Sequence, residues 1–462
     1  YNRTIDIVGL LIKTMDNGAK STNTIMADGS SMSATNEQPA YTSSDIKEYS
    51  DALRREIHYL KQGKGKKYKI VNGNKLVKSD KGIYTYLFEM ETELHLPDDA
   101  PVVVEAAGGL RAVGSVLSCE DFQILLLLDR DLNDKVSSAY LMVEPWKLLE
   151  ALDKKMNSLN PNINKLAIKI MEEGPDLSTD TDIANVPKGQ PAVEHKLETD
   201  DIVTVWGPPG TGKTYTMAKI ANSYIAQGKS VLIVSHSNVS VDGVIKQVVK
   251  MLGTDKQSIL EDGKILRFGY VRDDELSQNP YATSFNYALS KCDSYARQLE
   301  HLMAKRDELR AKNQMKSKEY DEVEHKIKEI RGEIRKEERK YVERAQVIGT
   351  TISRATIDPM FEERQFDLVM FDEVSMAYVP QVIAAAALAK EKFMCVGDFR
   401  QLAPISQSPD SRVLQVDIFS YLQIVDGKGN MYWHPWLVML NEQRRMAPAI
   451  SEFPSKFIFF HV

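Results

Sequence analysis

The segment Gly207–Thr214 constrains the fold of this chain more than any other feature of its sequence. It reads GPPGTGKT and lies between an apolar stretch, Ile202–Trp206, and a helical pattern that begins at Tyr215. Glycines allow backbone N–H groups to wrap around phosphate oxygens, and the amino terminus of a following helix adds partial positive charge. The order strand, glycine-rich loop, helix therefore predicts a phosphate-binding loop in a parallel α/β sheet.

The residues of this loop have predicted tasks. Lys213 is expected to reach the β- and γ-phosphates of ATP, and Thr214 is expected to ligate Mg²⁺. ATP and Mg²⁺ are therefore the predicted cofactors. The predicted ATP-binding residues of the loop and its helix are Gly207, Pro208, Pro209, Gly210, Thr211, Gly212, Lys213, Thr214 and Tyr215.

The stretch Phe366–Glu373 is an apolar strand that ends in two carboxylates, Asp372 and Glu373. Carboxylates at the end of a parallel strand face the ligand edge of the sheet. Asp372 is expected to hold Mg²⁺ together with Thr214, and Glu373 is expected to orient and deprotonate the attacking water. Such a strand is common by itself, but its position about 160 residues after the loop predicts ATP hydrolysis.

A further apolar strand with a polar end is predicted within Phe393–Pro404. An amide side chain just beyond a buried strand can touch the γ-phosphate and respond to its loss. Gln401 is the predicted sensor. Lys213, Glu373 and Gln401 are thus three predicted catalytic residues.

Five segments together resemble successive motifs of superfamily 1 helicases of the Upf-like group. They are Ser235–Asp242, Gly349–Thr351, Asp372–Ser375, Gly397–Leu402 and Gln443–Pro448. The resemblance extends over about residues 190 to 460. Members of that group carry a small barrel on two stalk helices before the motor domain and an insertion between the second and third motifs, so the resemblance implies both features here.

The resemblance also implies a nucleic-acid interface and a charge-neutralising arginine. Ser237, Asn238, Thr350 and Thr351 match positions that hold the nucleic-acid backbone, a sequence-independent task that suits small hydroxyl and amide donors. Ordinary capping at strand ends remains the alternative for these four. Arg445 matches the arginine that enters from a second motor domain to neutralise charge on the γ-phosphate, and it is the fourth predicted catalytic residue.

Adenine recognition departs from the family pattern. Many relatives place a tyrosine where Arg444 stands, although a guanidinium can also stack on adenine. Gln190 resembles the adenine-reading glutamine upstream of the loop, but its spacing to the apolar residues that follow is one residue shorter than usual. Gln190 and Arg444 complete the predicted cofactor-binding residues. Ala403 and Ala447 are milder departures, at positions that are often proline and histidine.

Two additions to the motor are predicted from periodicity. Alternating apolar residues between Tyr84 and Leu128, broken by Gly, Pro and Asp, predict a small antiparallel sheet or barrel between helices at Ser44 and Pro145. The barrel is either a structural appendage or a grip on nucleic acid. Heptad-spaced apolar residues among charges of both signs predict a helical hairpin, whose charged face is either solvated or a docking surface for a protein partner or nucleic acid.

The predicted fold class is α/β: a RecA-like P-loop NTPase domain with a parallel sheet, plus a small β-barrel on helical stalks and an inserted helical hairpin (coiled coil). The predicted segments are an N-terminal segment and flexible linker (1–43), stalk helices and barrel (44–160), the first part of the first RecA-like domain (161–286), the hairpin (287–345), the second part of that domain (346–430) and the start of an incomplete second RecA-like domain (431–462). Nothing after Arg445 matches the later motifs of the group, so an incomplete motor is expected.

Composition bounds the remaining choices. Hydrophobic residues make up 43% and charged residues 27%, as in folded globular proteins. No apolar run approaches the roughly 20 residues that span a bilayer, so no membrane association and a cytoplasmic location are expected. Three widely separated cysteines, Cys119, Cys292 and Cys395, predict reduced thiols and no zinc site. The net charge of -6 gives no global basic surface, but a local basic groove remains compatible with nucleic-acid binding.

The sequence therefore predicts an ATP-dependent helicase or translocase on single-stranded RNA or DNA, with 5′-to-3′ polarity implied by the resemblance. The alternative is an ATP-gated clamp or scaffold that hydrolyses ATP without unwinding. A P-loop kinase is disfavoured by the motifs around Gln401 and Arg445. The motifs apply to RNA and DNA alike, because contacts to the 2′-hydroxyl are made by residues outside them.

Overall fold

The computed structural model describes residues 43–62, 67–76, 83–90, 96, 98–120, 123–173, 182–253, 256–312 and 317–445. These residues form a closed barrel, a seven-stranded sheet and flanking helices, which confirms the predicted fold class. The predicted linker (apart from Ser43) and residues 446–462, which include Ala447, lie outside the described residues. Within the described ranges, no helix is long and apolar enough to cross a membrane.

The barrel follows from the alternation of apolar residues along short strands. The strands are β1 (Tyr68–Lys75), β2 (Tyr84–Met90), β3 (Pro101–Ala106), β4 (Leu110–Glu120), β5 (Gln123–Leu128) and β6 (Lys135–Val143). They pair antiparallel in the order β1-β2-β5-β4-β3-β6, and β6 closes on β1. Phe88, Val104 and Leu126 are fully buried in its core. A Cβ at Gly114 would lie 1.8 Å from the carbonyl oxygen of Leu127, so the close approach of β4 and β5 requires glycine there.

Two stalk helices, α1 (Ser44–Gln62) and α2 (Trp146–Asn157), bracket the barrel as predicted. Their apolar faces, which include Leu53 and Leu152, belong to the same buried core as one face of the motor sheet. Arg54 Nε donates to Asp153 Oδ2 at 3.2 Å and links the two helices at the surface. The barrel therefore sits on a base that is packed into the motor.

The remaining helices surround the motor sheet or project from it. They are α3 (Lys165–Ile168), α4 (Gln190–Thr199), α5 (Lys213–Ala226), α6 (Asn238–Met251), α7 (Lys256–Glu261), α8 (Asp274–Gln278), α9 (Ser284–Lys291), α10 (Asp293–Ala311), α11 (Lys318–Arg344), α12 (Ile352–Ile357), α13 (Val379–Ala386) and α14 (Ile418–Tyr421).

The motor sheet is parallel and covered on both faces. Its strands are β7 (Ile202–Trp206), β8 (Val231–Ser235), β9 (Ile265–Arg267), β10 (Val347–Thr351), β11 (Phe366–Asp372), β12 (Ala389–Gly397) and β13 (Leu437–Met439), in the order β13-β7-β12-β11-β8-β10-β9. Strands buried on both faces are apolar on both; on β8, for example, Leu232 enters one core and Ile233 the other. The carboxyl ends of β7, β8, β10, β11 and β12 meet at one edge, where ligands bind in open α/β sheets.

The structure corrects the predicted boundary at residue 431. Strand β13 pairs in parallel with β7 and places Val438 opposite Val205. The backbone N–H of Leu440 then donates to the Trp206 carbonyl at 2.8 Å. This segment thus completes an edge of the first sheet instead of opening a second domain. A strand of three residues has too little periodicity to be recognised in the sequence.

Helices α10 and α11 form the predicted hairpin. Their buried contacts are made by Leu299, Leu309, Val323, Ile327 and Ile334. Helix α10 ends at Ala311 and α11 begins at Lys318, so both arms lie within the predicted range 287–345. On the exposed face of α11, Lys336 pairs with Glu333, one turn earlier. Charges that pair within their own helix favour the solvated interpretation of this face over a docking surface.

Candidate functional site

The phosphate-binding loop connects β7 to α5 in a backbone conformation that needs glycine. Gly210 and Gly212 have φ angles of 84° and 88°, in the left-handed region that disfavours side chains. A Cβ at Gly207 would lie 2.9 Å from the Cγ atom of Lys213. Helix α5 begins at Lys213, and no described side chain caps it. The free N–H groups and the dipole of this 14-residue helix therefore form an anion site.

Two predicted catalytic residues meet beside this loop. Lys213 Nζ donates to the Gly207 carbonyl at 2.9 Å and lies 3.7 Å from Glu373 Oε1. Glu373 has a φ of 53°, a left-handed conformation that costs a residue with a side chain about 1–3 kcal/mol. In this conformation the Glu373 carboxylate faces Lys213 at the end of β11. The predicted general base, Glu373, and the predicted phosphate-binding lysine, Lys213, are therefore adjacent.

Asp372 has the surroundings expected of a metal ligand. It is buried at the end of β11, and its Oδ1 atom has no hydrogen-bond partner among the described residues. Burial, and then the neighbouring charge of Glu373, raise the pKa of Asp372 above its ordinary value, whereas Lys213 lowers it. Mg²⁺ takes oxygen ligands, so an unpartnered carboxylate oxygen beside a phosphate loop fits it. Thr214, half-buried in the first turn of α5, would be the second ligand.

The predicted sensor is held by a buried aspartate. Gln401 Nε2 donates to Asp398 Oδ2 at 3.0 Å, and Asp398 Oδ1 accepts from Trp206 Nε1 at 3.0 Å. Asp398 is fully buried, and Trp206 is the last residue of β7 before the phosphate loop. The Gly207 N–H donates to the Gly397 carbonyl at 3.0 Å. These bonds tie Gln401 to the strand that carries the loop.

The two predicted adenine-contacting residues line one pocket. Its walls are Gly189, Gln190, Thr211, Gly212, Thr216, Leu440, Asn441, Glu442 and Arg444. Gln190 Nε2 donates to Glu194 Oε1 at 2.7 Å, and Arg444 NH2 donates to Glu442 Oε2 at 2.8 Å. Tyr215, predicted to bind the cofactor, is 43% exposed on α5 and is not among these residues.

The segment that ends at Arg445 is fastened to the phosphate loop. Gln443 Nε2 donates to the Pro209 carbonyl at 2.6 Å, and the Arg444 N–H donates to the Gly210 carbonyl at 2.8 Å. The Arg445 N–H donates to Gln443 Oε1 at 2.7 Å, and the Arg445 side chain is exposed. The structure therefore brings the backbone of Arg445 to the loop.

The four candidates for nucleic-acid contact lie at or just beyond the carboxyl ends of two neighbouring strands, β8 and β10. Ser237 Oγ accepts from the Ser240 N–H at 3.1 Å and caps α6. Thr351 Oγ1 accepts from the Arg354 N–H at 3.2 Å and caps α12. Both hydroxyls thus perform the capping alternative. Each hydroxyl also donates its hydrogen, from Ser237 Oγ to Ser240 Oγ at 3.0 Å and from Thr351 Oγ1 to Asp99 Oδ2 at 2.5 Å.

A buried charged network fixes Asn238. Its Oδ1 atom accepts from Arg267 NH2 at 2.8 Å, and Arg267 Nε pairs with Asp242 Oδ1 at 2.7 Å. All three residues are fully buried. The network holds the Asn238 side chain so that its Nδ2 donor is directed away from Arg267. Thr350 differs from the other candidates, because it is fully buried and its hydroxyl has no partner among the described residues.

Comparison with known proteins assigns this site to a family. Residues 188–409 match the AAA domain family. DNA-binding protein SMUBP-2 of Mesocricetus auratus is 26% identical over 289 residues, which are 59% of this chain and 27% of that protein. DNA polymerase alpha-associated DNA helicase A of Saccharomyces cerevisiae is 26% identical over 280 residues, 55% of this chain and 38% of that protein. A regulator of nonsense transcripts 1 homolog of Arabidopsis thaliana is 26% identical over 265 residues, 55% of this chain and 18% of that protein.

These matches support a superfamily 1 helicase of the Upf-like group. The chain spans less than two fifths of the length of these relatives. The chain is also similar to a solved structure of an arterivirus helicase, nonstructural protein 10. The match covers 88% of this chain and 58% of the viral chain, with 12% sequence identity and a TM-score of 0.36. The AAA match contains Lys213, Asp372 and Gln401 and ends before Arg444.

Two residues that support the site, Asp398 and Arg267, were not predicted as functional. Asp398 stands directly after Gly397 in a motif that the sequence shows, and a carboxylate at a strand end was the available signal. Arg267 had no such signal, because it lies at the end of the short strand β9, outside every motif, and reaches Asn238 only through the fold. Asp398 positions Gln401 and Arg267 positions Asn238, so both residues support a candidate functional side chain.

Proposed function

We propose that this protein is an ATP-dependent helicase or translocase that moves along single-stranded nucleic acid with 5′-to-3′ polarity. The observation that carries the proposal is the 3.7 Å approach of Lys213 to Glu373, at the sheet edge where Asp372 and the Gln401 sensor also lie. ATP hydrolysis requires a lysine that binds phosphate, a carboxylate that binds the metal, a general base and a γ-phosphate sensor, and candidates for all four lie at this edge of the sheet.

The residues divide the work of hydrolysis. With ATP bound, Lys213 moves from the Gly207 carbonyl to the phosphate oxygens, and the N–H groups of the loop surround the phosphates. Glu373 orients the attacking water and accepts its proton. Asp372 and Thr214 would hold Mg²⁺, which when bound neutralises charge on the phosphate oxygens.

Contacts beyond the sensor provide a route from ATP to the barrel. Glu56, buried on stalk helix α1, accepts the N–H groups of Gln407 and Ser408 at 2.7 and 2.9 Å. These residues follow Gln401 closely in the chain, so a shift of the sensor on phosphate loss pulls on α1. We propose that this contact couples the sensor to the stalk and, through it, to the barrel.

The proposal includes Mg²⁺ as cofactor, a cytoplasmic location and either RNA or DNA as substrate. The names of the relatives support both nucleic acids, because two of them refer to DNA and one to nonsense transcripts. The sheet-edge donors Ser237, Asn238 and Thr351 suit the phosphodiester backbone that the two substrates share.

A strand-displacement assay on the intact protein tests the proposal. Partial duplexes with a 5′ or a 3′ single-stranded overhang, in RNA and DNA versions, are incubated with Mg-ATP. ATP-dependent release from the 5′-overhang substrates is the expected result. Hydrolysis without release on any substrate would establish the clamp instead, and absence of hydrolysis would reject the proposal.

Replacement of Lys213 by alanine is expected to weaken Mg-ATP binding about 10- to 100-fold, since a hydrogen bond to a charged group contributes about 1.5–3 kcal/mol. Titration with a fluorescent ATP analogue measures the change. Lys229→Ala is the matched control, because Lys229 follows the other end of α5 and pairs with Glu391 at the surface. Equal affinity in the two variants would contradict the role of Lys213.

A further inference from the structure

Two carboxylates of the barrel lie on the candidate nucleic-acid contacts. Asp98 and Asp99 form the turn that precedes β3. Asp98 Oδ2 accepts the backbone N–H of Asn238 at 3.0 Å and its side-chain Nδ2 at 3.2 Å. The carboxylate therefore lies at the amino terminus of α6 and accepts from the backbone N–H and the Nδ2 group of Asn238, whose Oδ1 atom accepts from Arg267.

Asp99 occupies the neighbouring donors. It is 2% exposed, and its carboxylate accepts from the Thr351 hydroxyl at 2.5 Å and from Arg354 NH2 at 3.3 Å. Its backbone belongs to the barrel, because the Asp99 N–H donates to the Val116 carbonyl at 2.8 Å. The φ of Asp99 is 65°, a left-handed conformation that aspartate tolerates better than most residues. The turn is thus built to present both carboxylates to the motor.

The donors that the turn occupies are of the chemical types that bind phosphate in nucleic-acid complexes. Helix amino termini, hydroxyls and guanidinium groups supply most contacts to nucleic-acid backbones. A carboxylate resembles a phosphate to such donors, because both are anionic and accept through more than one oxygen. Asn238 and Thr351 stand at the ends of adjacent strands, so the two carboxylates fill adjacent places along the path of a strand.

We propose that the Asp98–Asp99 turn occupies the nucleic-acid backbone site intramolecularly, and that a single strand binds there only after the turn withdraws. This inference rests on the proposed function, because the role of the sheet edge in binding nucleic acid is itself proposed. It also assigns Arg354 as a phosphate-binding residue. The donors have an acceptor in both states, so the equilibrium between the turn and a strand can respond to added strand.

The contact should depend on pH. The pKa of Asp98 is raised to about 7, because burial and the charge of Asp99, which raise it, outweigh the hydrogen bonds from Asn238 and the charge of Arg272, which lower it. A released carboxylate has the ordinary value of 3.8. Because the occupied state binds the proton more tightly, acidification between these two values favours it. Affinity for a single strand is therefore expected to fall as the pH is lowered from about 8 to about 6.

The decisive variant is Asp98→Ala in the intact protein, which removes the carboxylate from α6. Its affinity for fluorescent oligothymidylate and oligouridylate is expected to rise about tenfold, the factor lost when a site is free about a tenth of the time. The pH dependence of binding should also diminish. Asp134→Ala is the matched control, because it removes the same charge from an exposed barrel position.

The outcomes separate this inference from the proposed function. Equal affinities in the unaltered chain, Asp98→Ala and Asp134→Ala would overturn the inference, whereas absence of strand binding in all three would overturn the proposed function. Carboxyl footprinting of the unaltered chain provides a test that needs no variant. Amine labelling of Asp98 and Asp99, read by mass spectrometry, should increase when the oligonucleotide is added; unchanged labelling at saturating oligonucleotide would show that the turn does not withdraw.

Discussion

Replacement of Glu373 by glutamine is expected to lower ATP turnover about 10²- to 10⁴-fold, the usual contribution of a positioned general base. Glutamine has the shape of glutamate but cannot accept the proton of the attacking water. Mg-ATP affinity should remain close to that of the unaltered chain, because Lys213 and the loop glycines still hold the phosphates. Single-turnover hydrolysis and equilibrium binding, measured on the same samples, separate the two quantities.

Glu363→Gln provides the control for this experiment. Glu363 is exposed shortly before β11, so its replacement makes the same chemical change away from the loop. Its turnover should match that of the unaltered chain. If Glu373→Gln lost as much nucleotide affinity as Lys213→Ala, Glu373 would be a phosphate-site residue and the assignment as base would be wrong.

The nucleotide site was predictable because its residues are grouped by the chain itself. Gly207–Thr214 directly follows the end of β7 and contains the loop and the start of α5, so local geometry fixes the relation between Lys213 and the loop backbone. Asp372 and Glu373 follow one buried strand, and parallel pairing brings the end of that strand to the same edge. The sequence left only the order of the strands in the sheet undetermined, and the structure shows that order.

The contacts between barrel and motor were not predictable, because they depend on how two folded units meet. The alternating residues of the barrel strands specify which side chains face its core, but they do not specify where the turn at Asp98 points. Its contact with Asn238 joins residues 140 positions apart, and the contact of Asp99 with Thr351 joins residues 252 positions apart. Short strands such as β13 are not recognised in the sequence for a different reason, because three residues are too few to show a hydrophobic period.

The attachment of Gln443 and Arg444 to the phosphate loop gives Arg445 a defined place. The Arg445 N–H is bonded to the same Gln443 side chain that donates to the Pro209 carbonyl, so its backbone is two hydrogen bonds from the loop. The Arg445 guanidinium is exposed, and the family resemblance predicts that it neutralises charge on the γ-phosphate. An arginine that reaches charge developing in the transition state contributes to turnover more than to ground-state binding.

Arg445→Ala is therefore expected to lower kcat about 10³- to 10⁵-fold, the range for arginines that neutralise a transferring phosphoryl group. Its dissociation constant for Mg-ATP should change little. Arg444→Ala is the informative neighbour, because Arg444 lines the pocket with Gln190 and its loss should raise KM for ATP with a smaller effect on kcat. Steady-state ATPase with saturating single strand measures both constants. If Arg445→Ala instead changed KM and Arg444→Ala changed kcat, Arg444 would lie at the γ-phosphate and Arg445 at the adenine ring.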